Sequence, residues 1–495
     1  MSIPSREAGP AGVPVAAGAT LAALVFASHL PFLLPGFGTD TDAWKFASAL
    51  REMAETGRYT ASRVPGYPLM EIVSLPFQAI GPWAPNALSA LASGACAWLA
   101  ARLFARHGVR DAWLAGAAFA FVPAAFIAGS SSMDYLWAIA FVLAAWLEAM
   151  EGRAARAGVW LGLAVGTRLT SLLVAVPIAI LLGGTTSGSR SRRVTVALGL
   201  AALIAAAWYA PVFARYSWGM FSYSEITGGQ SSALRLLPGL SKHGVGEIPM
   251  SLIAGQATVL LWGALGCAAI GLALLSGVLL PRGVARAATI ERREAWAIGT
   301  FLVLELLLYA RLPHDEGYLL PAVPFALLVL ASFVTVPRFR FVCAALLLSP
   351  FLLGVDVNPP KKGATPSASS PLALRFSVSG ETVVVEPLRG PALRDRDKRV
   401  AQQRLADALE AWWPERPARF LLAAGNSAPM LYHLFPQPPY QRPFVRTFDA
   451  RQRAEAAASG VTLFALPDAM RLMRAKESAA ALDGVTLLAG STGAP

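Results

Sequence analysis

Two aspartates, Asp40 and Asp42, stand two residues apart in the polar stretch Gly38–Pro68, which follows the first long apolar run. A helical pattern begins at Ala43 and ends at Thr56. Either aspartate, or Thr41 between them, would cap that helix, because a side-chain oxygen there meets free backbone N–H groups and the positive end of the helix dipole. A carboxylate in such a loop can also take a proton from an acceptor hydroxyl. With two acids present, the sequence allows both roles.

A further acid, Asp134, lies in the segment Gly129–Tyr135 (GSSSMDY), in the next loop predicted on the same side of the membrane. It would cap the following helix, or it would bind a metal ion, orient a substrate or hold a basic partner. Asp42, Asp40 and Asp134 are therefore the candidate catalytic acids. Asp42 and Asp134 are the candidate ligands if a divalent metal ion takes part. Proton transfer from a hydroxyl to a carboxylate requires no cofactor.

Three basic residues are candidates for binding a phosphate. Arg168 lies in the turn Gly166–Thr170 (GTRLT), where a guanidinium at membrane depth needs an anionic partner, and a lipid phosphate matches its geometry. The simpler alternative is anchoring to lipid headgroups or fixing the topology. Arg63 and Lys45 are further candidates; Lys45 lies three residues after Asp42, so that one face of the helix carries both.

The segment Arg311–Pro321 (RLPHDEGYLLP) is the other dense group of polar residues on this side. His314, Glu316 and Tyr318 are candidates for substrate binding. An ordinary solvated loop explains the same residues.

The composition predicts a membrane protein. The 495 residues are 55% hydrophobic and 15% charged, against about 25% charged residues in soluble domains. Apolar runs of about 20 residues recur up to Val355, and each must be helical because an isolated strand cannot satisfy its backbone in lipid. The net charge of +12 fits residues that fix topology, so no nucleic-acid partner is expected. The three cysteines fall inside the apolar runs and predict packing only.

Eleven transmembrane helices are predicted, two of them short. The short pair comes from Gly158–Gly183, which has arginines at both flanks and so must turn back, at 166–170, to leave both ends in the cytoplasm. Tyr67–Pro82 is predicted as an interfacial or re-entrant helix rather than a span, because it is apolar but short and bounded by prolines. The other predicted spans are Val13–Phe37, Ala84–Leu103, Ala112–Gly129, Met133–Met150, Val194–Phe213, Pro249–Leu280, Ala295–Ala310, Tyr318–Val336 and Phe341–Val355.

The distribution of basic residues predicts the orientation. Arginines are denser in the connections that lie on the same side as the N-terminus, which places that end in the cytoplasm. An odd number of spans then places the C-terminus, and the loop 38–68, outside. Residues 1–356 form the predicted transmembrane unit, and residues 357–371, rich in Pro, Ser and Lys, a linker. Strand-like and helical runs alternate in 372–495, which predicts a small extracytoplasmic α/β domain.

Taken together, these motifs resemble the GT-C superfamily of polytopic glycosyltransferases, in particular the branch with protein O-mannosyltransferases and lipid A aminoarabinose transferases. The resemblance covers Val13 to about Val336 and rests on the order of motifs. The matching features are the acidic pair Asp40 and Asp42, the exit Gly57…Pro65-Gly66-Tyr67-Pro68, the acid Asp134, the segment Gly162–Thr170 and the segment Tyr318–Pro324. Relatives often have Thr-Lys where this chain has Thr167-Arg168, and an Arg-Tyr pair where Gly317 precedes Tyr318.

The resemblance implies a sugar donor on a polyprenyl monophosphate and an acceptor hydroxyl on a glycan, a lipid or a protein, joined at the outer face of a bacterial cytoplasmic (inner) membrane. Asp42 would be the general base of a single displacement with inversion. Arg168, helped by Arg63 or Lys45, would offset the charge of the leaving polyprenyl phosphate, and Asp134 would position the acceptor or hold a divalent cation. A membrane transporter or a flippase for lipid-linked sugars is the main alternative, and a non-catalytic scaffold is another. Both fit less well, because the acids cluster at one face and the central spans carry little charge apart from Glu305.

Overall fold

The computed structural model describes residues 15–183, 190–221, 259–278, 285–311, 316–358, 372–378, 381–435, 443–445, 447–474, 482 and 484–488. Helices dominate these ranges, as the composition predicts. In the apolar part of the chain the α-helices are α1 (Val15–His29), α2 (Thr41–Thr56), α3 (Pro68–Ser74), α4 (Trp83–Arg106), α5 (Ala112–Ala120), α6 (Pro123–Gly129), α7 (Tyr135–Met150), α8 (Ala154–Thr167), α9 (Ala175–Leu182), α10 (Arg190–Tyr216), α11 (Leu261–Val278), α12 (Arg292–Arg311), α13 (Val323–Phe333) and α14 (Val336–Leu352).

Among the described residues, three continuous helical segments are long and apolar enough to cross a membrane: Trp83–Arg106, Ser191–Phe221 and Glu316–Phe333. The bent pair α5 and α6 would make a fourth if it counts as one span. Several further apolar helices are shorter, at 10–17 residues. The structure is thus that of a helical membrane protein, and the count of eleven spans stays a prediction.

The predicted span Ala112–Gly129 is not one straight helix. It breaks between α5 and α6, whose axes differ by 70°. The cause is Pro123, the first residue of α6: proline has no N–H to bond to the preceding turn, and it disfavours the helical conformation at the residue before it. Val122 accordingly has ψ 129°.

A second break falls at Arg168, within the predicted turn at 166–170. The helix α8 ends at Thr167, Arg168 is extended (φ −149°, ψ 114°), and a 3-10 segment, Leu169–Val174, leads into α9. The glycines Gly158, Gly162 and Gly166 recur every fourth residue along α8 and face α10, where an added Cβ would come within 3 Å of its atoms. Small residues at this spacing let two membrane helices approach closely. The seam between α8 and α10 therefore fixes the position of the end of α8, and hence of Arg168.

Away from the loops the interior is apolar and aromatic. Trp146 of α7 is fully buried against Phe325 of α13 and Phe301 of α12, with ring centroids 4.4 and 6.0 Å away. In lipid such packing replaces the hydrophobic effect as the main attraction between helices. This interior supports the loops that carry the polar residues.

In the described residues of the C-terminal part, two sheets combine with four α-helices. The helices are α15 (Pro391–Trp412), α16 (Ala428–Leu434), α17 (Ala450–Ala458) and α18 (Pro467–Arg474), and the strands are β1 (Leu353–Asn358), β2 (Leu374–Val378), β3 (Glu381–Pro387), β4 (Phe420–Ala423), β5 (Phe444–Val445), β6 (Thr462–Ala465) and β7 (Val485–Leu487). The first sheet is antiparallel in the order β1-β3-β2, with Val355 opposite Val385. The second is parallel in the order β5-β4-β6-β7.

The last predicted span, Phe341–Val355, needs a correction. Its helix, α14, ends at Leu352, and the next residues form β1. The sequence LGVDVN alternates apolar and polar residues after Leu353, which suits a strand that pairs on one side with β3. The predicted boundaries at 356 and 371 remain predictions, and most of the linker, like part of the span Pro249–Leu280, lies outside the described residues.

A pair of glycine substitutions tests the helix packing. A Cβ on Gly94 of α4 would lie 2.6 Å from the backbone oxygen of Ala22 in α1, whereas a Cβ on Gly271 of α11 would have no atom within 4 Å. Gly94→Ala should therefore destabilise the protein by about 1–3 kcal/mol through overpacking. Gly271→Ala should leave stability unchanged or raise it by about 0.5–1 kcal/mol, because Ala favours a helix over Gly. Thermal unfolding of both purified variants measures this, and equal melting temperatures would contradict the packing of α1 on α4.

Candidate active site

The two aspartates of the first loop have different roles in the structure. Asp40 is the N-cap of α2, where its Oδ1 accepts a hydrogen bond of 2.8 Å from the backbone N–H of Asp42. Asp42 lies in the first turn, with 28% of its side chain exposed. Its Oδ1 accepts from Lys45 Nζ at 2.8 Å, and its Oδ2 accepts from Arg63 Nη1 at 3.0 Å. Asp42 is therefore the acid that faces outward, beside two cations.

Asp134 is the buried centre of the cluster. It precedes α7 without making a side-chain cap, and its side chain is fully buried. Its Oδ1 accepts from Arg63 Nη2 at 2.6 Å, and its Oδ2 accepts from Arg168 Nη1 at 2.6 Å. Of the roles open to it from the sequence, this geometry is that of an acid that holds basic partners. Arg63 bridges the two acids, so Asp42, Asp134 and all three predicted phosphate-binding cations form one connected network.

Three tyrosine rings surround the guanidinium groups. The Cζ atom of Arg63 lies 4.0 Å from the ring centroid of Tyr67. The Cζ atom of Arg168 lies 4.1 Å from the ring of Tyr135 and 4.8 Å from that of Tyr318. Cation–π contacts of this kind stabilise a guanidinium that has lost part of its hydration.

The predicted substrate-binding residues near the start of α13 divide into three cases. Tyr318 joins the cluster through its contact with Arg168. Glu316 is half-buried and begins the 3-10 segment Glu316–Ala322. His314 lies outside the described residues. Gly317, which stands where an arginine was expected from the resemblance, packs directly on the Tyr135 ring, so that any side chain there would clash with it.

A residue that the sequence analysis did not select, Glu71 of α3, shapes the loop that carries Arg63. Its buried carboxylate accepts from the backbone N–H of Ser62 (2.8 Å), the hydroxyl of Ser62 (2.6 Å), the backbone N–H of Tyr67 (3.1 Å) and the hydroxyl of Tyr59. These four bonds draw the loop 59–67 around one point, with Arg63 inside it. A single acid within the apolar run 68–80 was the signal that could have identified it, because a buried carboxylate needs several donors.

The charges of the network favour an anion. Three cations, Lys45, Arg63 and Arg168, meet two carboxylates, Asp42 and Asp134, which leaves one positive charge in excess. Burial opposes the ionisation of Asp42, but the charges of Arg63 and Lys45 outweigh it and lower its pKa from 3.8 to about 2. Burial also disfavours the charged form of Asp134, and the adjacent Arg168 and Arg63 nevertheless hold its pKa below the ordinary value. Both acids are thus ionised at neutral pH.

The same contacts bear on the metal ion that the sequence left undecided. All four carboxylate oxygens of Asp42 and Asp134 already accept from Lys or Arg side chains. Within the described part of the chain, no group of three or more His, Cys, Asp or Glu side chains lies close enough to hold a metal ion. A divalent cation would have to displace a guanidinium from each acid, so these two residues do not fit a metal centre in this arrangement.

The fold is similar to that of a membrane protein of known structure. It is similar to the crystal structure of ArnT from Cupriavidus metallidurans bound to undecaprenyl phosphate, with a TM-score of 0.51 and 13% sequence identity over 90% of this chain and 88% of that one. The apo structure of the same protein gives a TM-score of 0.48 at the same identity and coverage. Neither a protein-family profile nor a curated protein matches the sequence. The similarity to this crystal structure therefore supports the overall fold.

Glu71→Gln tests whether this carboxylate organises the loop 59–67. An amide presents an NH₂ group to donors that now meet an oxygen, so at least one buried donor loses its partner at a cost of about 1–3 kcal/mol. We expect a lower melting temperature and faster proteolysis within 59–67. Glu55→Gln is the matched control, because Glu55 pairs with Arg51 on an exposed helix face, where an ion pair contributes about 0–1 kcal/mol. Equal effects of the two substitutions would show that Glu71 has no special role.

Proposed function

We propose that this chain is a membrane glycosyltransferase that moves a sugar from a polyprenyl-phosphate donor to an acceptor hydroxyl at the outer face of the cytoplasmic membrane. The observation that carries the proposal is the buried, net-positive cluster in which Asp134 holds Arg63 and Arg168 together. The fold supports it, since ArnT has a similar fold and its crystal structure holds undecaprenyl phosphate. With the N-terminus in the cytoplasm, the cluster lies on the outer side.

The donor phosphate would bind at the two arginines. Each guanidinium has five N–H donors; Asp134 occupies one nitrogen of each and Asp42 occupies a second nitrogen of Arg63, so that donors remain for an anion. Among the described residues, Arg63 Nε is buried and has no hydrogen-bond partner. A phosphate that accepts hydrogen bonds from both guanidinium groups would neutralise the excess positive charge of the cluster. Such fixed donors stabilise the charge that grows on a leaving phosphate during transfer.

Asp42 is the acid suited to act as the base. Asp134 is sealed between two arginines, and Asp40 is used as the cap of α2, whereas Asp42 is partly exposed at the mouth of the cluster. In the proposed step Asp42 takes the proton of the acceptor hydroxyl while the acceptor oxygen forms a bond to the anomeric carbon. The bond from that carbon to the phosphate oxygen breaks, and its electron pair leaves with the polyprenyl phosphate. A single displacement of this kind inverts the anomeric centre.

The donor itself would strengthen this base. With a pKa of about 2, Asp42 is ionised but weakly basic when Arg63 and Lys45 both contact it. The monoanionic phosphodiester of the donor, bound beside Arg63, would neutralise part of the charge that lowers that pKa. The pKa of Asp42 then moves upward toward its ordinary value of 3.8, and proton transfer from the hydroxyl becomes less unfavourable. Asp42 would thus become an effective base only after the donor has bound.

Binding of the lipid phosphate is the direct test of the proposal. Undecaprenyl phosphate, added to the purified protein in nanodiscs, should raise its melting temperature by mass action. Arg168→Ala should weaken this binding at least tenfold, and Arg168→Lys, which keeps the charge but loses the fork, should weaken it less. Arg215→Ala, which removes an exposed arginine of α10, is the matched control and should bind like wild type. Wild type that saturating lipid does not stabilise would contradict the transferase and favour a transporter.

Asp42→Asn tests the base. We expect transfer to fall about 100-fold or more, the usual contribution of a general base, with the melting temperature nearly unchanged because Arg63 keeps its bond to Asp134.

The pH profile of kcat/KM reports the free protein, where Asp42 titrates near 2, so Asp42 should cause no loss of rate above about pH 4. Lys45→Met removes one cation and should move this acid limb upward, toward 3.8. Undiminished transfer by Asp42→Asn would leave Asp42 a structural residue only.

A further inference from the structure

The C-terminal helix α15 reaches the two loops that carry the candidate acids. Asp395 and Arg399 lie one turn apart on this helix and are both buried, Arg399 completely. Arg399 Nε lies 2.9 Å from Asp395 Oδ2, so the two side chains form an ion pair. Burying an arginine to this extent is costly unless its charge is paired and its donors are used. This pair is not part of the proposed chemistry, and its other contacts show what it holds.

Each member of the pair contacts a different acid-bearing loop. The hydroxyl of Thr39, three residues before Asp42, donates to Asp395 Oδ1 at 2.6 Å. On the other side, Arg399 Nη1 donates to the backbone oxygen of Ser130, four residues before Asp134, at 2.7 Å. One buried ion pair therefore joins the segment before Asp42 to the segment before Asp134.

The two loops also contact each other directly. The N–H of Ser132 donates to the backbone oxygen of Phe37 at 2.8 Å, and the Ser132 hydroxyl donates to Asn86 Oδ1 at 2.7 Å. The same Asn86 side chain donates to the backbone oxygens of Leu33 and Gly36. Hydrogen bonds thus join the two loops to each other, to Asn86 of α4 and to α15.

The helix α16 makes a second contact with the first loop. Arg51 Nη1 of α2 donates to the backbone oxygen of His433 at 2.6 Å, and the hydroxyl of Ser48 donates to that of Pro429 at 3.3 Å. The His433 ring packs against Phe37 and Trp44, with centroids 5.1 and 5.9 Å away. The face of α2 opposite the apolar helices is therefore occupied by the C-terminal part of the chain.

We propose that the C-terminal part of the chain is a clamp for the candidate active site, in which Asp395 and Arg399 are positioning residues that hold the loops of Asp42 and Asp134 in register. The role of the clamp in catalysis rests on the proposed transferase function. The mechanical coupling itself does not, because it follows from contacts between α15 and the two loops. The coupling can therefore be tested without a substrate.

Hydrogen–deuterium exchange on the full-length protein in nanodiscs measures the coupling in two peptides, 37–44 and 129–136. Arg399→Ala should raise exchange at least tenfold in both. Thr39→Val, which keeps the shape of the side chain but removes its donor, should raise it in 37–44 only. Arg399→Lys keeps a cation beside Asp395 and loses the fork to Ser130, so it should restore protection in 37–44 and not in 129–136. Arg451→Ala, which removes an exposed ion pair of α17, should change neither peptide.

The pattern across variants decides the outcome. If Arg399→Ala changes only peptides within α15, and Thr39→Val leaves 37–44 protected, the clamp is wrong and the pair only stabilises its own helix. If Arg399→Ala fails to fold, Thr39→Val still decides, since it leaves α15 intact.

Transfer assays then separate the clamp from the proposed function. Thr39→Val should lower kcat at least tenfold with an unchanged KM for the donor, because it displaces Asp42 and leaves both arginines in place. Arg399→Ala should lower kcat and raise the KM for the donor. Arg399→Lys should restore kcat more fully than it restores the KM for the donor. Failure of wild type to bind undecaprenyl phosphate would end the transferase proposal and leave the exchange result standing. Normal transfer by Arg399→Ala would overturn the positioning role.

Discussion

The rest of the site depends on the two buried ion pairs that Asp134 makes with Arg63 and Arg168. Removing one partner from a buried ion pair costs about 3–5 kcal/mol, because an uncompensated charge stays behind. The three residues come from three separate segments: the loop after α2, the turn before α7 and the break after α8. None of these segments can take its position alone without burying an unpaired charge. The cluster therefore fixes the relative positions of these three segments.

Each segment is also held by contacts outside the cluster. Glu71 collects four donors around the loop of Arg63, and Asn86 ties the backbone before α2 to Ser132. The glycine seam of α8 against α10 fixes the position of the end of α8, next to Arg168. Below this layer the interior is nearly all apolar and aromatic, which suits helices packed in lipid. The loops that carry the cluster are thus held by hydrogen bonds and ion pairs, and the apolar interior supports them.

Local features were predictable from the sequence and distant ones were not. The helix after Asp40, the pairing of Asp42 with Lys45 and the break near Arg168 follow from spacing, charge and turn residues within a few positions. The bridge from Arg63 to Asp134 joins residues 71 positions apart, and that from Arg399 to Ser130 joins residues 269 positions apart. No periodicity encodes such pairs, since tertiary packing alone decides which loops meet. Glu71 was overlooked because an apolar run was interpreted by its hydropathy, although the one acid in it carried the information.

The electrostatics of the cluster give the proposed reaction an order of events. Without a ligand, the carboxylate of Asp42 is held by two cations, and it is a weak base although it is fully ionised. An anion would stabilise the excess positive charge, and the phosphate of the proposed donor would supply one. Its arrival would draw the arginines into stabilising the leaving group and free Asp42 to accept a proton from the acceptor. A water molecule that reaches Asp42 before the donor binds would meet neither a strong base nor an electrophile. The arrangement that lowers the basicity of Asp42 in the free protein is thus the one that makes its activation depend on the donor.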